Sequence, residues 1–438
     1  MKLLLKAGRV IDPSQNIDAL MDIAIQDAKI VQIGPNLSEG QTNGRKGPSS
    51  KTKTIDLTGR VVVPGLIDMH THLREPGFEY KETIETGSLA AAAGGFTSIA
   101  CMPNTQPVND NRSITEFIKR KAALAGRVHV YPIAAITIES AGRSLTDFRD
   151  LQDAGAIGFS DDGKSVLNSA LMRRALEYAS SIDMPVICHC EDPQLSAGGS
   201  MNEGFVSTEL GLAPIPAMAE DVMTARDIII AEYTRTAVHI AHVSTAGSVE
   251  FIRSAKKRGV KVTAETAPHY FTLTDDSLRD FNTFYKVNPP LRTKEDLEAV
   301  KEGLRDGTVD VIASDHAPHA VTDKDVEFEF AASGMIGLET SLALSLKLVD
   351  DGILTLPQLI QKMSFNPAKI LKIPKGTLQV GVDADVTVID REKIWTVDCH
   401  QFRSRSRNSP FHGRRMKGKA VMTIMGGEIT YDESQNNA

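Results

Sequence analysis

Residues 61–77 read VVVPGLIDMHTHLREPG. The run begins as a buried strand and ends in two histidines one position apart, with an arginine and a glutamate close behind. Side chains alternate across a strand, so His70 and His72 point to one face and Thr71 to the other. Two imidazoles side by side at the mouth of an apolar strand are costly unless something binds them. A metal ion is the first candidate, and other strands must then end in further ligands.

Beyond residue 64, short apolar runs alternate with longer amphipathic segments. The runs are GFTSIACMPN (95–104), HVYPIAAI (129–136), AIGFSDDG (156–163), MPVICHCED (184–192), AVHIAHVST (237–245), VKVTAET (260–266) and VDVIASDHAPH (309–319). Between them lie helical patterns such as RSITEFIKRKAALAG (112–126) and NSALMRRALEYASSID (168–183). Strand–helix alternation predicts a parallel sheet. With VVVPGLIDMH (61–70) there are eight strand candidates, the number that closes a (β/α)8 TIM-type barrel. Residues 2–34, and the tail with GTLQVGVDADVTVIDR (376–391) and KAVMTIMGGEITYD (419–432), read instead as strands and turns. The expectation is a barrel over 61–370 beside one small β domain composed of 1–60 and 371–438. The polar stretch 38–54 reads as a loop without a role.

Composition excludes several classes. The chain has 438 residues, 41% hydrophobic and 24% charged, which is ordinary for a globular protein. A net charge of −7 argues against a general nucleic-acid binder. Four cysteines do not make a disulfide framework. The apolar run near the start, three leucines between Lys2 and Lys6, is too short for a signal-peptide core, and no segment approaches a membrane span. A cytoplasmic protein with no membrane partner is expected.

In a (β/α)8 barrel, chemistry collects at the C-terminal strand ends. Strand one ends in His70 and His72, strand four runs into Asp161 and Asp162, strand five ends at His189, strand six at His242 and strand eight at Asp315. Such a set suits zinc, which takes imidazole and carboxylate ligands. It exceeds the three protein ligands of a mononuclear catalytic zinc and suits a two-metal site. A lone histidine in an apolar strand is more often a core residue than a ligand. His129 and His239, at the start or middle of strands, are assigned to packing. Cys188 and Cys190 face away from His189 and pack as small hydrophobes. Taken alone, SDDG is a turn or helix cap before it is a metal site. Joint placement at five strand ends is what favours the metal.

DMHTHLREPG (68–77) and ASDHAPHAVTDK (313–324) resemble the two signature motifs of the dihydroorotases, in the amidohydrolase superfamily. KETIETGSLAAAAGGFTSIACMPNTQP (81–107), CHCED (188–192), AHVST (241–245), VNPPLR (287–292) and GLET (337–340) also resemble the bacterial class I form, in the family's order and across nearly the whole chain. The resemblance implies reversible ring closure of N-carbamoyl-L-aspartate to L-dihydroorotate with loss of water, a step of pyrimidine biosynthesis. It implies one or two zinc ions, two being expected. His70, His72 and Asp315 would hold one, His189 and His242 the other, with Asp162 between them. It is the family pattern that selects Asp162, since spacing alone does not choose it over Asp161. Asp315 would carry the proton between the activated water and the ring nitrogen.

The resemblance also implies a clamp for the substrate carboxylate from Arg74, Asn104 and His319, with His72 also touching substrate, Asn288 reading the ring and the backbone of Ser333 and Gly334 closing over it. Read without the resemblance, Arg74 is equally a solvated arginine, Asn104 a turn residue and Asn288 a cap. Glu75, Asp192 and His316 stand beside these motifs as candidate ligand-orienting groups. Residues 320–330 read as a lid. Within the superfamily the rivals are dihydropyrimidinases, hydantoinases and allantoinases, which use a carboxylated lysine on strand four; here Lys164 follows the glycine, too late to serve. A non-catalytic homologue that supports aspartate transcarbamoylase is the rival of another class. A homo-oligomer, a dimer, is expected, and association with aspartate transcarbamoylase is compatible with activity.

Overall fold

Gly65 divides the opening stretch into two strands that belong to different sheets. A side chain there would meet Thr97, whose Oγ1 lies 2.0 Å from the position a Cβ would take. The sequence reading of VVVPGLIDMH as one strand is therefore corrected: Val61–Pro64 pairs with the small sheet, and Leu66–Thr71 opens the barrel.

The computed structural model describes residues 2–38 and 52–435 of the chain. Most of the polar segment 38–54 lies outside these described residues. In chain order the first strands are β1 (Lys2–Asp12), β2 (Ile17–Gln26), β3 (Lys29–Gly34), β4 (Thr52–Asp56) and β5 (Val61–Pro64). The middle of the chain gives β6 (Leu66–Thr71), β7 (Phe96–Cys101), β8 (His129–Ala134), β9 (Gly158–Phe159) and β10 (Ile187–Cys188). There follow β11 (Met201–Asn202), β12 (Pro214–Ile215), β13 (Val238–Ile240), β14 (Val262–Thr266) and β15 (Val311–Ile312). The tail adds β16 (Val386–Thr396), β17 (Arg415–Met425) and β18 (Glu428–Asp432).

Two parallel runs, β6-β7-β8-β9 and β10-β13-β14-β15, make the barrel wall. Bridges close it at both seams, Phe159 with Val186 and Thr71 with His316. Each of the eight strands is followed by a helix of the outer ring: Ile84–Ala93, Arg112–Ala125, Phe148–Ala154, Ser169–Ser181, Met218–Thr234, Ala246–Lys257, Lys294–Asp306 and Ser341–Asp350. Helix 246–257 shows why they form. Its cap Thr245 accepts from the Ser248 N–H, Val249, Ile252 and Ala255 are buried at helical spacing, and Lys256 and Lys257 sit in the last turn against the dipole. Ile67, Met69, Ala100, Ile133, Ile187 and Val311, from five strands, and Ala241, just past the end of a sixth, form one cluster, so they fill the lumen. The barrel is a packed core with its chemistry confined to one rim.

The small sheet runs β18-β17-β16-β5-β1-β2-β3, with β4 on β1, and so joins both ends of the chain. It is tied to the barrel where Thr387 Oγ1 donates to Gly95 O (2.6 Å) and Thr423 Oγ1 to Ala92 O (2.7 Å). Between β16 and β17 the chain leaves this sheet and reaches the barrel rim, where Ser406 Oγ donates to Lys81 O at 2.6 Å. Among the described residues no helix is long and apolar enough to cross a membrane.

Candidate metal centre

The strand ends converge on Asp162. Its Oδ1 lies 3.2 Å from His70 Nε2, 3.7 Å from His242 Nε2 and 3.9 Å from His189 Nδ1; its Oδ2 lies 3.6 Å from His72 Nε2. Asp315 Oδ1 stands 3.2 Å from His72 Nε2 and 3.7 Å from His70 Nε2. Two buried groups with ligand spacing result, His70–His72–Asp162 and Asp162–His189–His242, sharing one carboxylate.

The donor set fits divalent cations. His70 Nε2 is buried with no hydrogen-bond partner although Asp162 is near, so its nitrogen is aimed at shared space rather than at an acceptor. His189 Nδ1 and His242 Nε2 face each other at 2.8 Å, two nitrogens directed at one point. The electrostatics of these side chains agree. Burial opposes charge on His70, but the Asp162 and Glu265 carboxylates outweigh it and hold the ring well above the usual imidazole range. Burial likewise opposes charge on Asp162 and Asp315, and the surrounding imidazoles hold both below the usual carboxylate range. Cations are wanted here, and protons substitute for them.

Backbone geometry re-aims these side chains. β6 carries an extra residue against β7 between Asp68 and Thr71, a bulge beside the site. Arg74, His242 and Asp315 have φ of 62°, 36° and 48°, in the left-handed region that non-glycine residues avoid at a cost of about 1–3 kcal/mol each. Three such residues around one cavity are strain held where the chemistry is.

That cavity, about 220 Å³, is lined by His72, Arg74, Asn104, Asp162, His189, His242, Asn288, Asp315, His319, Ser333 and Gly334. His70 lies behind it, fully buried. Larger hollows of about 520 and 680 Å³ lie against the small sheet and contain none of these residues. Convergent ionisable groups, not volume, mark the site. A further group, Asp398, His400 and His412, has ligand spacing but is partly to largely exposed, and His412 Nδ1 already accepts the Cys399 N–H at 3.2 Å.

The residues expected to form the clamp all line this cavity. Arg74 Nε donates to Pro318 O (3.2 Å), leaving its Nη atoms toward His319. Asn104 spans the metal groups: Oδ1 is 2.9 Å from His72 Nδ1, and Nδ2 donates to Asp162 Oδ2 at 3.1 Å. Gly334 has a φ of 134°, and a side chain there would collide with Ala317 at 2.6 Å. Its own N–H is engaged by Lys286 O (2.9 Å). The 320–330 segment begins with a short helix, Val321–Lys324, pinned by reciprocal bonds: Lys324 Nζ donates to Thr283 O (3.0 Å) and Lys286 Nζ to Phe328 O (2.9 Å).

Several residues that sequence reasoning did not single out hold the candidate ligands in place. Glu265, at the end of β14, accepts from His70 Nδ1 at 2.5 Å and lies 3.4 Å from His239 Nε2. Glu191 holds His189 Nε2 at 2.9 Å and accepts Asn288 Nδ2 at 2.8 Å. Burial opposes its charge, but His189 wins and its pKa falls to about 2. Asn408 accepts the His319 N–H (3.1 Å) and donates to Gly334 O (3.1 Å), from the tail of the chain. Of the expected orienting groups, Glu75 instead pairs with Lys121 and accepts the Ile84 N–H, and Asp192 caps the turn at Gln194. His316 bonds Glu82 with its ring, and its carbonyl accepts the His72 N–H. Asp161 accepts the Thr137 N–H and turns away, which leaves Asp162 to the site. Cys190 and Cys188 pack beside helix 218–234, with Cys190 Sγ 3.7 Å from Asp227. His129 lies against Asp385 and Lys375, and His239 supports Glu265 from below.

Fold and site together define a metal-dependent hydrolase barrel of the amidohydrolase kind. A solved L-hydantoinase (dihydropyrimidinase) from Arthrobacter aurescens superposes with a TM-score of 0.85 at 27% identity, over 98% of this chain and 96% of that one. The profile described as Dihydro-orotase-like matches residues 59–248. A dihydroorotase from Syntrophus aciditrophicus is 62% identical, over 99% of this chain and all of the relative, and one from Geobacter metallireducens is 56% identical over 98% of this chain and all of the relative. The chain belongs to the dihydroorotase family.

Proposed function

We propose that the chain catalyses the reversible, zinc-dependent cyclisation of N-carbamoyl-L-aspartate to L-dihydroorotate in pyrimidine biosynthesis. The observation that carries this reading is the pairing of two metal-ligand groups that share Asp162 with a cationic wall, Arg74 beside His319, on one small cavity. His70, His72 and Asp315 would hold one ion and His189 and His242 the other, with Asp162 common to the two groups. Imidazole and carboxylate donors favour zinc. Bound there, it supplies Lewis-acid polarisation of the ring carbonyl and lowers the pKa of a coordinated water.

The chain's own groups do the rest. In the hydrolytic direction the Asp315 carboxylate takes the proton of the attacking water and delivers it to the departing ring nitrogen. In cyclisation it removes the proton from the carbamoyl nitrogen and returns it to the leaving water. Its left-handed backbone and its contact with His72 Nε2 hold the carboxylate at the cavity. Arg74, Asn104 and His319 receive the substrate carboxylate, Arg74 through a planar fork that matches it. Asn288, oriented by Glu191, reads the ring amide, and Ser333 and Gly334 cover it.

An uncharged cyclic-amide substrate fits less well, because it leaves the Arg74 wall without a partner. The complete ligand set favours an active enzyme over a non-catalytic homologue. The proposal includes a cytoplasmic location, supported by four buried cysteines that are all free, together with a homodimer and an association with aspartate transcarbamoylase that accompanies activity. The test is a substrate panel. L-dihydroorotate is expected to be hydrolysed while dihydrouracil, hydantoin and allantoin are not, and turnover of the uncharged rings at comparable rates would overturn the substrate assignment.

A further inference from the structure

The carboxylate wall contains a histidine whose usefulness depends on where its one proton sits. An Nε2–H on His319 would donate to an anion in the cavity; a ring protonated on Nδ1 would present a lone pair there and repel it. The neighbours of His319 decide between these. Lys81 Nζ lies 3.3 Å from Nδ1 and an ammonium has no lone pair to offer, whereas the Asp323 carboxylate, which would favour a proton on Nδ1, stands off at 3.7 Å, so Nδ1 accepts from Lys81. The proton of the neutral ring then stands on Nε2, which lies 2.9 Å from Ser333 O, an acceptor. Arg74 Nη2, 3.4 Å from the same Nε2, can only donate. That contact sets two donors side by side on the lining of the cavity; the Nε2–H is held by Ser333 O, and an entering anion would share or replace that acceptor.

Lys81 is held for this task from several sides. Its Nζ pairs with Asp323 Oδ2 at 3.2 Å and lies over the Phe78 and Tyr80 rings. Its carbonyl is fixed by Ser406. Burial first, then the charges of Arg74, Lys324 and Lys81, push the His319 pKa down to about 2, so the ring stays neutral and the tautomer alone is in play.

We propose that Lys81 is a positioning residue of the anion wall: by donating to Nδ1 it fixes His319 as the neutral Nε2–H tautomer and so gives Arg74 a second donor beside it. This rests on the reading of the cavity as the site of an anionic ring. The residue acts through His319 and carries no step of the reaction.

The zinc-loaded protein, labelled with 15N in histidine, reports the tautomer directly, with His319 assigned by its loss in His319→Gln. The wild type is expected to show the Nε2–H form. Lys81→Met should shift the ring toward Nδ1–H and raise the KM for L-dihydroorotate about tenfold, the size of one charge-assisted hydrogen bond, while kcat stays within about twofold. Lys81→Arg, which still donates, should restore both. Asp323→Asn removes the tie to the lid helix but keeps the Nζ–Nδ1 contact, so the tautomer should not change. An unshifted tautomer or an unchanged KM in Lys81→Met would overturn the proposal, as would a tautomer change in Asp323→Asn equal to that of Lys81→Met. A wild type that turns over no L-dihydroorotate overturns the substrate reading instead, and the NMR signal still decides the claim about Lys81.

Discussion

Removing Glu265 tests whether the ligands are oriented from behind. Its carboxylate meets His70 Nδ1 at 2.5 Å, fully buried, which fixes the proton on Nδ1 and leaves Nε2 free to ligate. Bonds of this charge-assisted kind are worth about 1.5–3 kcal/mol, or roughly 10–150-fold in an equilibrium constant. Two effects of the charge oppose each other. Glu265 also stabilises the proton on metal-free His70, which an incoming ion must displace. A dication draws on the carboxylate more strongly than a single proton does, so the ligated form loses more. Glu265→Ala is therefore expected to weaken zinc binding about 10–100-fold, the range measured for such outer partners. It also leaves His239 Nε2 without its acidic neighbour, 3.4 Å away. Glu265→Gln keeps an acceptor of the same shape and should lie between. Zinc affinity by competition with a chromophoric chelator, with circular dichroism as the check on folding, gives the answer. Folded Glu265→Ala binding zinc within twofold of wild type would refute the reasoning.

Arg74→Ala should raise the KM for L-dihydroorotate about 10–100-fold with a smaller effect on kcat, since a buried charge-assisted contact to the acid is lost; an unchanged KM counts against the clamp. Asp315→Asn should lower kcat to near background, because it removes a ligand and the proton carrier together, and initial rates at saturating substrate measure it. His129→Ala should leave turnover intact and cost about 1 kcal/mol of stability, since its partners are Asp385 and Lys375, read by initial rates and a urea midpoint. Burial and the nearby Lys286 lower the Lys324 pKa from 10.5 to about 7. Between those values the unfolded chain holds a proton that the folded chain does not, so stability from this group rises with pH across 7 to 10.5 and is flat below. Between pH 7 and 9 the gain is at most about 2.7 kcal/mol. Urea midpoints of wild type and Lys324→Met at the two pH values should diverge by up to that amount, and parallel shifts would refute the assignment.

Much of this site was legible because barrel geometry converts strand ends into neighbours. The His70–His72 pair, His189, His242 and Asp315 lie in four separate stretches of sequence, yet all stand at barrel strand ends; the structure brings the four histidines around Asp162 and sets Asp315 beside His70 and His72. Choosing Asp162 over Asp161 needed the family pattern, and the structural reason is a third element: Thr137 occupies Asp161. Gly65 was misread because apolar residues run on both sides of it, although Pro64-Gly65 is itself a turn signal. Glu191 stood two residues past His189, on the same face by strand alternation, and Glu265 ended its own apolar strand. Both signals are present in the sequence, but a glutamate beside a histidine does not by itself say which ring it orients, as Glu75, which pairs with Lys121 instead, shows. Asn408 had no such signal. It reaches His319 from 89 residues away, along a tail that leaves one sheet to support another. Long-range placement of that kind follows from the fold and from nothing local.

The most direct test of the central claim is turnover of L-dihydroorotate by the protein stripped with a chelator and titrated with zinc. The account predicts no turnover in the stripped chain, recovery on zinc addition, and a plateau at two ions per chain. Full activity in the stripped protein, or none in a folded, zinc-loaded one, would contradict it.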